Sequence, residues 1–111
     1  RTVAIHGCEG NESVAYIGGS DDRLIELITE SLEDIGISVR EAPHHISGTQ
    51  ENNIVNMTQT QGGVQLELTA QLRKELFKNR KSSRKNRENK DNWDDLMYDF
   101  ADAMKKAIER A

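Results

Sequence analysis

At 111 residues the chain suits one small domain with a real but limited core. With 35% hydrophobic and 31% charged residues it is polar for a globular domain, and a net charge of −4 gives no reason to expect nucleic acid or an anionic membrane as main partner. A single cysteine, Cys8, excludes an internal disulfide, and no apolar run approaches the roughly 18 residues of a membrane helix.

The chain opens on Arg1 rather than Met and runs straight into a β-rich segment, Thr2-Val3-Ala4-Ile5, ended by Gly7. It reads as a domain whose beginning lies elsewhere, so the lack of a targeting signal carries little weight. Gly10-Asn11 marks a turn, and Val14-Ala15-Tyr16-Ile17 is a second strand stopped by Gly18-Gly19. A helix follows. Ser20 is a good N-cap, Asp21 and Asp22 favour the positive helix start, and Leu24, Ile28, Leu32 and Ile35 share a face flanked by Leu27. Gly36 can end it in a left-handed conformation, and Ile37-Ser38-Val39 is a third strand, completing a βαβ pattern.

Residues 43–63 read as a long loop rich in Gly, Ser, Thr, Asn and Gln. Val64 to Leu68 forms a fourth strand, with Val64, Leu66 and Leu68 on one face and Gln65 and Glu67 on the other. Thr69 can cap a short helix carrying Leu72, Leu76 and Phe77. The composition then shifts, because residues 73–90 hold nine Lys or Arg against two Glu. Within that stretch, 78–90 is almost free of apolar residues and is expected to be a solvated, mobile loop. A last helix begins near Asn92, with Asp94 and Asp95 in its first turn. Trp93, Leu96, Met97, Phe100, Met104, Ala107 and Ile108 form its apolar stripe. The division expected is 1–77 as part of an α/β domain, 78–91 as a basic loop and 92–111 as a helix packing on the same domain.

Two side chains have positions suited to chemistry. His6 follows a strand beside a glycine, where α/β folds bind ligands, and its imidazole is either a zinc ligand or an ordinary turn histidine. Glu67 lies inside an apolar strand, where a carboxylate is costly unless paired, near a metal or on an open face. It is either a general base or a solvent-facing residue, and Gln65 on the same face favours the second reading. His44-His45 reads as a surface pair, since adjacent side chains in a loop seldom share one ion. Gly18-Gly19-Ser20 lacks the lysine and the glycine spacing of phosphate-binding loops.

Taken together, Ala4-Ile5-His6-Gly7, Tyr16-Ile17-Gly18-Gly19, Gly48-Thr49 with Asn53-Ile54-Val55-Asn56, and Gly63-Val64-Gln65-Leu66-Glu67-Leu68 with Leu72-Arg73 occur in a recognisable order. This order resembles the C-terminal half of the phage-type poly-γ-glutamate hydrolases, which are related in fold to the zinc carboxypeptidases. The resemblance covers roughly residues 2–77. It implies a mixed α/β sheet flanked by helices, with the N-terminal part missing. It implies zinc as cofactor, His6 as one of three zinc ligands and Glu67 as the carboxylate that activates water. The other two ligands, a histidine and a glutamate, would belong to an N-terminal segment, and Glu9 and Glu12 are not accepted in their place. The substrate implied is a γ-linked polyglutamate or γ-glutamyl peptide, with Arg73 expected to meet its α-carboxylates. Synthesis in the cytoplasm with release on lysis would suit a phage enzyme.

Two other readings compete. One is a non-catalytic α/β binding module that contacts a partner through loop 43–63. The other is a phage protein that binds DNA through the basic loop, which the overall acidity disfavours.

Overall fold

The computed structural model of the protein describes residues 2–42, 63–78 and 88–111. Most of the expected loop 43–63, with His44, His45, Gly48-Thr49 and Asn53 to Asn56, and residues 79–87 of the basic run lie outside the described residues. In chain order the elements are β1 (Thr2–Cys8), β2 (Val14–Gly19), α1 (Asp22–Asp34), β3 (Ser38–Glu41), β4 (Gly63–Thr69), α2 (Ala70–Glu75) and α3 (Asp95–Arg110). The strands form one sheet in the order β1-β4-β2-β3. β1 runs parallel to β4, β4 antiparallel to β2, and β2 parallel to β3. The sheet is therefore mixed, as expected, and β2-α1-β3 is the βαβ unit.

One face of the sheet carries the core. Val64, Leu66 and Leu68 of β4, with Ala15 and Ile17 of β2, pack with Leu24, Leu27, Ile28 and Leu32 of α1 and with Phe100, Ala103, Met104 and Ala107 of α3. Each large apolar side chain buried this way contributes roughly 1.5–3 kcal/mol. The stripe read for α3 holds at its centre, but Ile108 stays 45% exposed, and Ala103, absent from the stripe, is buried instead. Among the described residues, no helix is long and apolar enough to cross a membrane.

The turn after β2 shows why one cap moved. Gly63 O accepts hydrogen bonds from Ser20 N (2.9 Å) and Asp21 N (3.3 Å), and Gly63 N donates to Ser20 Oγ at 3.3 Å. With the Ser20 hydroxyl engaged by the start of β4, Asp21 caps α1, accepting from Leu24 N at 3.2 Å. Gly19 makes this seat possible. Its φ is +129°, and a Cβ there would lie 2.2 Å from Gly63 O. At the other end of α1, Gly36 takes φ +87°. The bonds Ile37 N to Leu32 O and Gly36 N to Glu33 O complete a Schellman closure.

The cap of α3 also moved, from Asn92 to Asp94, which accepts from Leu96 N at 3.0 Å. Trp93 is extended and bridges Phe77, so the helix cannot begin before it. Asp94 N then donates to Leu76 O at 2.9 Å, anchoring the helix start beside the end of α2.

Candidate functional site

The site lies on the face of the sheet opposite α1 and α3. β1 is longer than its apolar run predicts, so His6 belongs to the strand rather than to a turn after it. Parallel pairing sets His6 directly against Glu67, with Ala4 against Gln65 and Cys8 against Thr69. On the other flank, β2 sets Tyr16 against Glu67 and Gly18 against Gln65. Because side chains alternate along a strand, these residues share one face. Glu67 therefore lies between an imidazole and a phenol.

Glu67 differs from a solvent-facing strand residue. Every residue of β4 is buried, and Glu67 is 6% and Gln65 4% exposed. The Gln65 amide donates to Glu67 Oε1 at 2.5 Å. His6 Nδ1 is 3.5 Å from the same oxygen, a contact longer than a good hydrogen bond. The His6 side chain remains 52% exposed and the Glu67 side chain 8%. The arrangement holds a carboxylate in place by one short amide bond and sets an accessible imidazole beside it.

Two side chains fix the C-terminal end of β4, Thr69 to the turn before β2 and Arg73 to the end of β1. Thr69 Oγ1 accepts from Leu72 N and Val14 N, each at 3.2 Å, and donates to Glu12 O at 2.6 Å. It caps α2, as the sequence predicts, and also fixes the turn that precedes β2. Arg73 Nε donates to Leu68 O at 3.2 Å, and its Nη2 donates to Cys8 O at 3.1 Å. The guanidinium lies against Gly7, where a Cβ would come within 2.8 Å of Arg73 Cζ. Arg73 is thus at the C-terminal ends of β1 and β4, bound to main-chain carbonyls of both strands, and exposed to solvent, with its guanidinium beside Gly7, which alternates onto the face opposite His6 and Glu67.

Cys8 and Glu12 complete the surroundings. Burial pushes the Cys8 thiol up from its ordinary range, the Glu67 carboxylate adds to the rise, and the Arg73 guanidinium opposes it. Cys8 is only partly buried, rather than the buried thiol its size suggests. Glu12 pairs with Arg40 at 2.9 Å, and that carboxylate followed by the Tyr16 hydroxyl holds the Arg40 guanidinium more firmly protonated than usual. Among the described residues, no three His, Cys, Asp or Glu side chains gather in a group that could hold a metal ion. Tyr16 is the part of the site that sequence reasoning did not single out, and Gln65, read there as a sign of a solvent-facing face, is buried and donates to Glu67 instead. Their period-2 placement was visible, but the register that sets them beside Glu67 was not.

The poly-gamma-glutamate hydrolase family model matches residues 1–103. Two curated Bacillus subtilis proteins are similar. The SPbeta prophage-derived protein YoqZ is 33% identical over 68% of this chain and 28% of its own length. YmaC is 30% identical over 97% of this chain and 45% of its own length. Among solved structures, a bacteriophage poly-gamma-glutamate hydrolase superposes with a TM-score of 0.86 at 31% identity, covering 97% of this chain and 51% of that one. The zinc-free apo form of YndL gives a TM-score of 0.83 at 25% identity, covering 96% and 52%. The chain thus spans less than half the length of the curated relatives and about half of the solved ones.

Proposed function

This chain belongs to the poly-gamma-glutamate hydrolase family, and from that premise we propose that His6 and Glu67 form part of a zinc-dependent site that hydrolyses γ-glutamyl amide bonds in poly-γ-glutamate. The observation that supports the reading is the pairing of a buried, amide-anchored carboxylate with an exposed imidazole on adjacent strands. A carboxylate is expensive to bury and is kept where it has work to do. The zinc-free apo form of YndL, named for the metal it lacks, supports the choice of metal.

The residues present fit a zinc site in part. One imidazole with a carboxylate beside it supplies one ligand and a base, whereas catalytic zinc sites use three protein ligands. We place the other two ligands in the portion of the family fold that this chain does not span. The chemistry supplied by a zinc bound there is activation of a water and polarisation of the scissile carbonyl. The protein residues would do the rest. Glu67 takes the proton of the attacking water and passes it to the leaving amine nitrogen as the amide C–N bond breaks. Gln65 keeps the carboxylate oriented. Arg73 spends two of its N–H donors on Leu68 O and Cys8 O, and the others would meet a substrate α-carboxylate.

The test is shortening of poly-γ-glutamate by the full-length product of the gene that encodes this chain, with and without a zinc chelator. Chelator-sensitive shortening, abolished in Glu67→Gln and given a higher KM by Arg73→Ala, is expected. Shortening that survives Glu67→Gln removes the proposed base, and an unchanged KM and turnover in Arg73→Ala removes its role. Zinc binding without shortening would point to another amide substrate. Neither zinc binding nor shortening would leave a binding module.

A further inference from the structure

The pairing register sets one row of side chains across the whole sheet. His6 of β1 is opposite Glu67 of β4, Glu67 is opposite Tyr16 of β2, and Tyr16 is opposite Arg40 of β3. Residues directly opposite one another on neighbouring strands share a face, so all four lie on the side away from α1 and α3. The proposed hydrolysis draws on His6 and Glu67 and leaves Tyr16 and Arg40 unused. Among the described residues of the four strands, Arg40 is the one Lys or Arg.

Arg40 is placed to meet an anion. Neighbouring strands are roughly 4.8 Å apart, so its backbone is about 10 Å from that of Glu67, with Tyr16 between them. Its side chain is 52% exposed, and Nη2 donates to Glu12 Oε2 at 2.9 Å. The Glu12 side chain is itself 73% exposed. Two exposed partners hold each other weakly, so Glu12 is a carboxylate that another carboxylate can displace. The Tyr16 hydroxyl also lies against the Arg40 guanidinium. A hydroxyl both accepts and donates, so Tyr16 can accept from Arg40 and give its own proton to the same anion.

The direction of hydrolysis names that anion. Glu67 passes its proton to the leaving nitrogen, so the nitrogen lies at Glu67, and Tyr16 and Arg40 lie beyond it, on the side away from His6. In a γ-linked glutamate polymer the carbon bonded to that nitrogen carries the free α-carboxylate of the leaving residue. We propose that Arg40, with Tyr16 beside it, binds this carboxylate in exchange for Glu12 and so favours amides whose leaving residue carries an α-carboxylate. The inference rests on the reading of His6 and Glu67 as a hydrolytic site. A polymer with one carboxylate per residue has a place for both Arg40 and Arg73.

The test uses the full-length product of the gene that encodes this chain. Its substrates are a γ-linked glutamate oligomer and the same oligomer with its α-carboxylates converted to primary amides. The wild type should favour the carboxylate oligomer by about tenfold or more in kcat/KM, and Arg40→Gln should cut that ratio by about fivefold or more. Binding of the carboxylate oligomer is read separately, by calorimetry in a Glu67→Gln background. There Arg40→Gln should weaken binding by about tenfold or more, and Glu12→Gln should leave it as tight or tighter. That opposition separates a ligand-binding arginine from half of a structural ion pair, whose two partners would weaken binding alike. The proposal is overturned if the ratio survives Arg40→Gln, or if Glu12→Gln weakens binding as much as Arg40→Gln does. Hydrolysis with the ratio intact in Arg40→Gln removes Arg40 and leaves the reaction standing. Binding that depends on Arg40, with no hydrolysis by the wild type, overturns the reaction and leaves the carboxylate site standing. Neither binding nor hydrolysis overturns both.

Discussion

Replacing Glu67 by glutamine should stabilise the fold while removing the proposed base. Glu67 is 6% exposed, and its carboxylate meets the Gln65 amide at 2.5 Å and the His6 imidazole at 3.5 Å. A charge-assisted hydrogen bond contributes about 1.5–3 kcal/mol. Removing a carboxylate from water costs several kcal/mol even after relaxation. The imidazole offsets little of that, because its side chain is half exposed and its contact is long. Glutamine keeps the shape and an oxygen that accepts from Gln65, at about 1 kcal/mol for a neutral bond. The balance predicts a gain on the order of 1 kcal/mol, or an upward shift of roughly 0.5 M in the urea midpoint. Trp93, the one tryptophan, supplies a fluorescence signal for the titration, with circular dichroism as a second probe. Glu67→Leu is the counter-variant. It removes the oxygen that Gln65 donates to and should cost about 1–3 kcal/mol. If Glu67→Gln instead lowers stability by more than about 1 kcal/mol, the carboxylate is a net structural element. Its burial would then no longer support a catalytic role.

Thr69→Val preserves shape but removes three hydrogen bonds at a residue 1% exposed, and should cost about 2–4 kcal/mol in urea unfolding; a cost under about 0.5 kcal/mol would show that the hydroxyl does not hold the turn before β2. Cys8 should react with iodoacetamide more slowly near pH 8 in the folded chain than in urea, because its raised pKa reduces the thiolate fraction; equal rates would contradict the burial seen. The sign for stability is that of an acid whose folded pKa is raised: the contribution is complete below the unfolded thiol pKa and is lost as pH rises above it, so Cys8→Ser should lessen alkaline destabilisation. The isolated chain should retain no stoichiometric zinc after desalting at micromolar concentration, measured by mass spectrometry of the metal; one zinc per chain, lost on His6→Ala, would show that its own residues complete the site.

What could be read from the sequence was whatever depends on neighbours along the chain. Leu24, Ile28 and Leu32 repeat at helical spacing, and each is fully buried on α1. Thr69 caps α2 because a threonine hydroxyl three residues before Leu72 N needs no distant partner. Ser20 failed as a cap for the opposite reason: Gly63, 43 residues away, takes its hydroxyl. The burial of Glu67 was hidden in the same way. Its alternation with Leu66 and Leu68 shows which face it takes, but not that β1 and β2 flank it with His6 and Tyr16. A strand at an edge and a strand at the centre of a sheet can have the same local pattern and differ wholly in the cost of a charge. The proposed roles of His6 and Glu67 came from resemblance, and the register gives them a physical setting.

The core and the site draw on different strands, which has a consequence for folding. The fully buried apolar cluster comes from β2, β4, α1, α2 and α3 and the segments next to them, while β1 contributes none of it. The proposed metal ligand His6 is on β1, and Glu67 is on β4. Residues that hold the fold together are therefore largely separate from the residue that would hold the metal. A chain organised in this way can reach its native core without β1. Glu67 would then be buried beside Gln65 during folding, at a cost carried by the apolar face of the same strand. Val64, Leu66 and Leu68 lie on that face, two of them fully buried and the third 5% exposed. Glu67→Gln should therefore be read out in stability, because the strand that buries Glu67 belongs to the core and β1 does not.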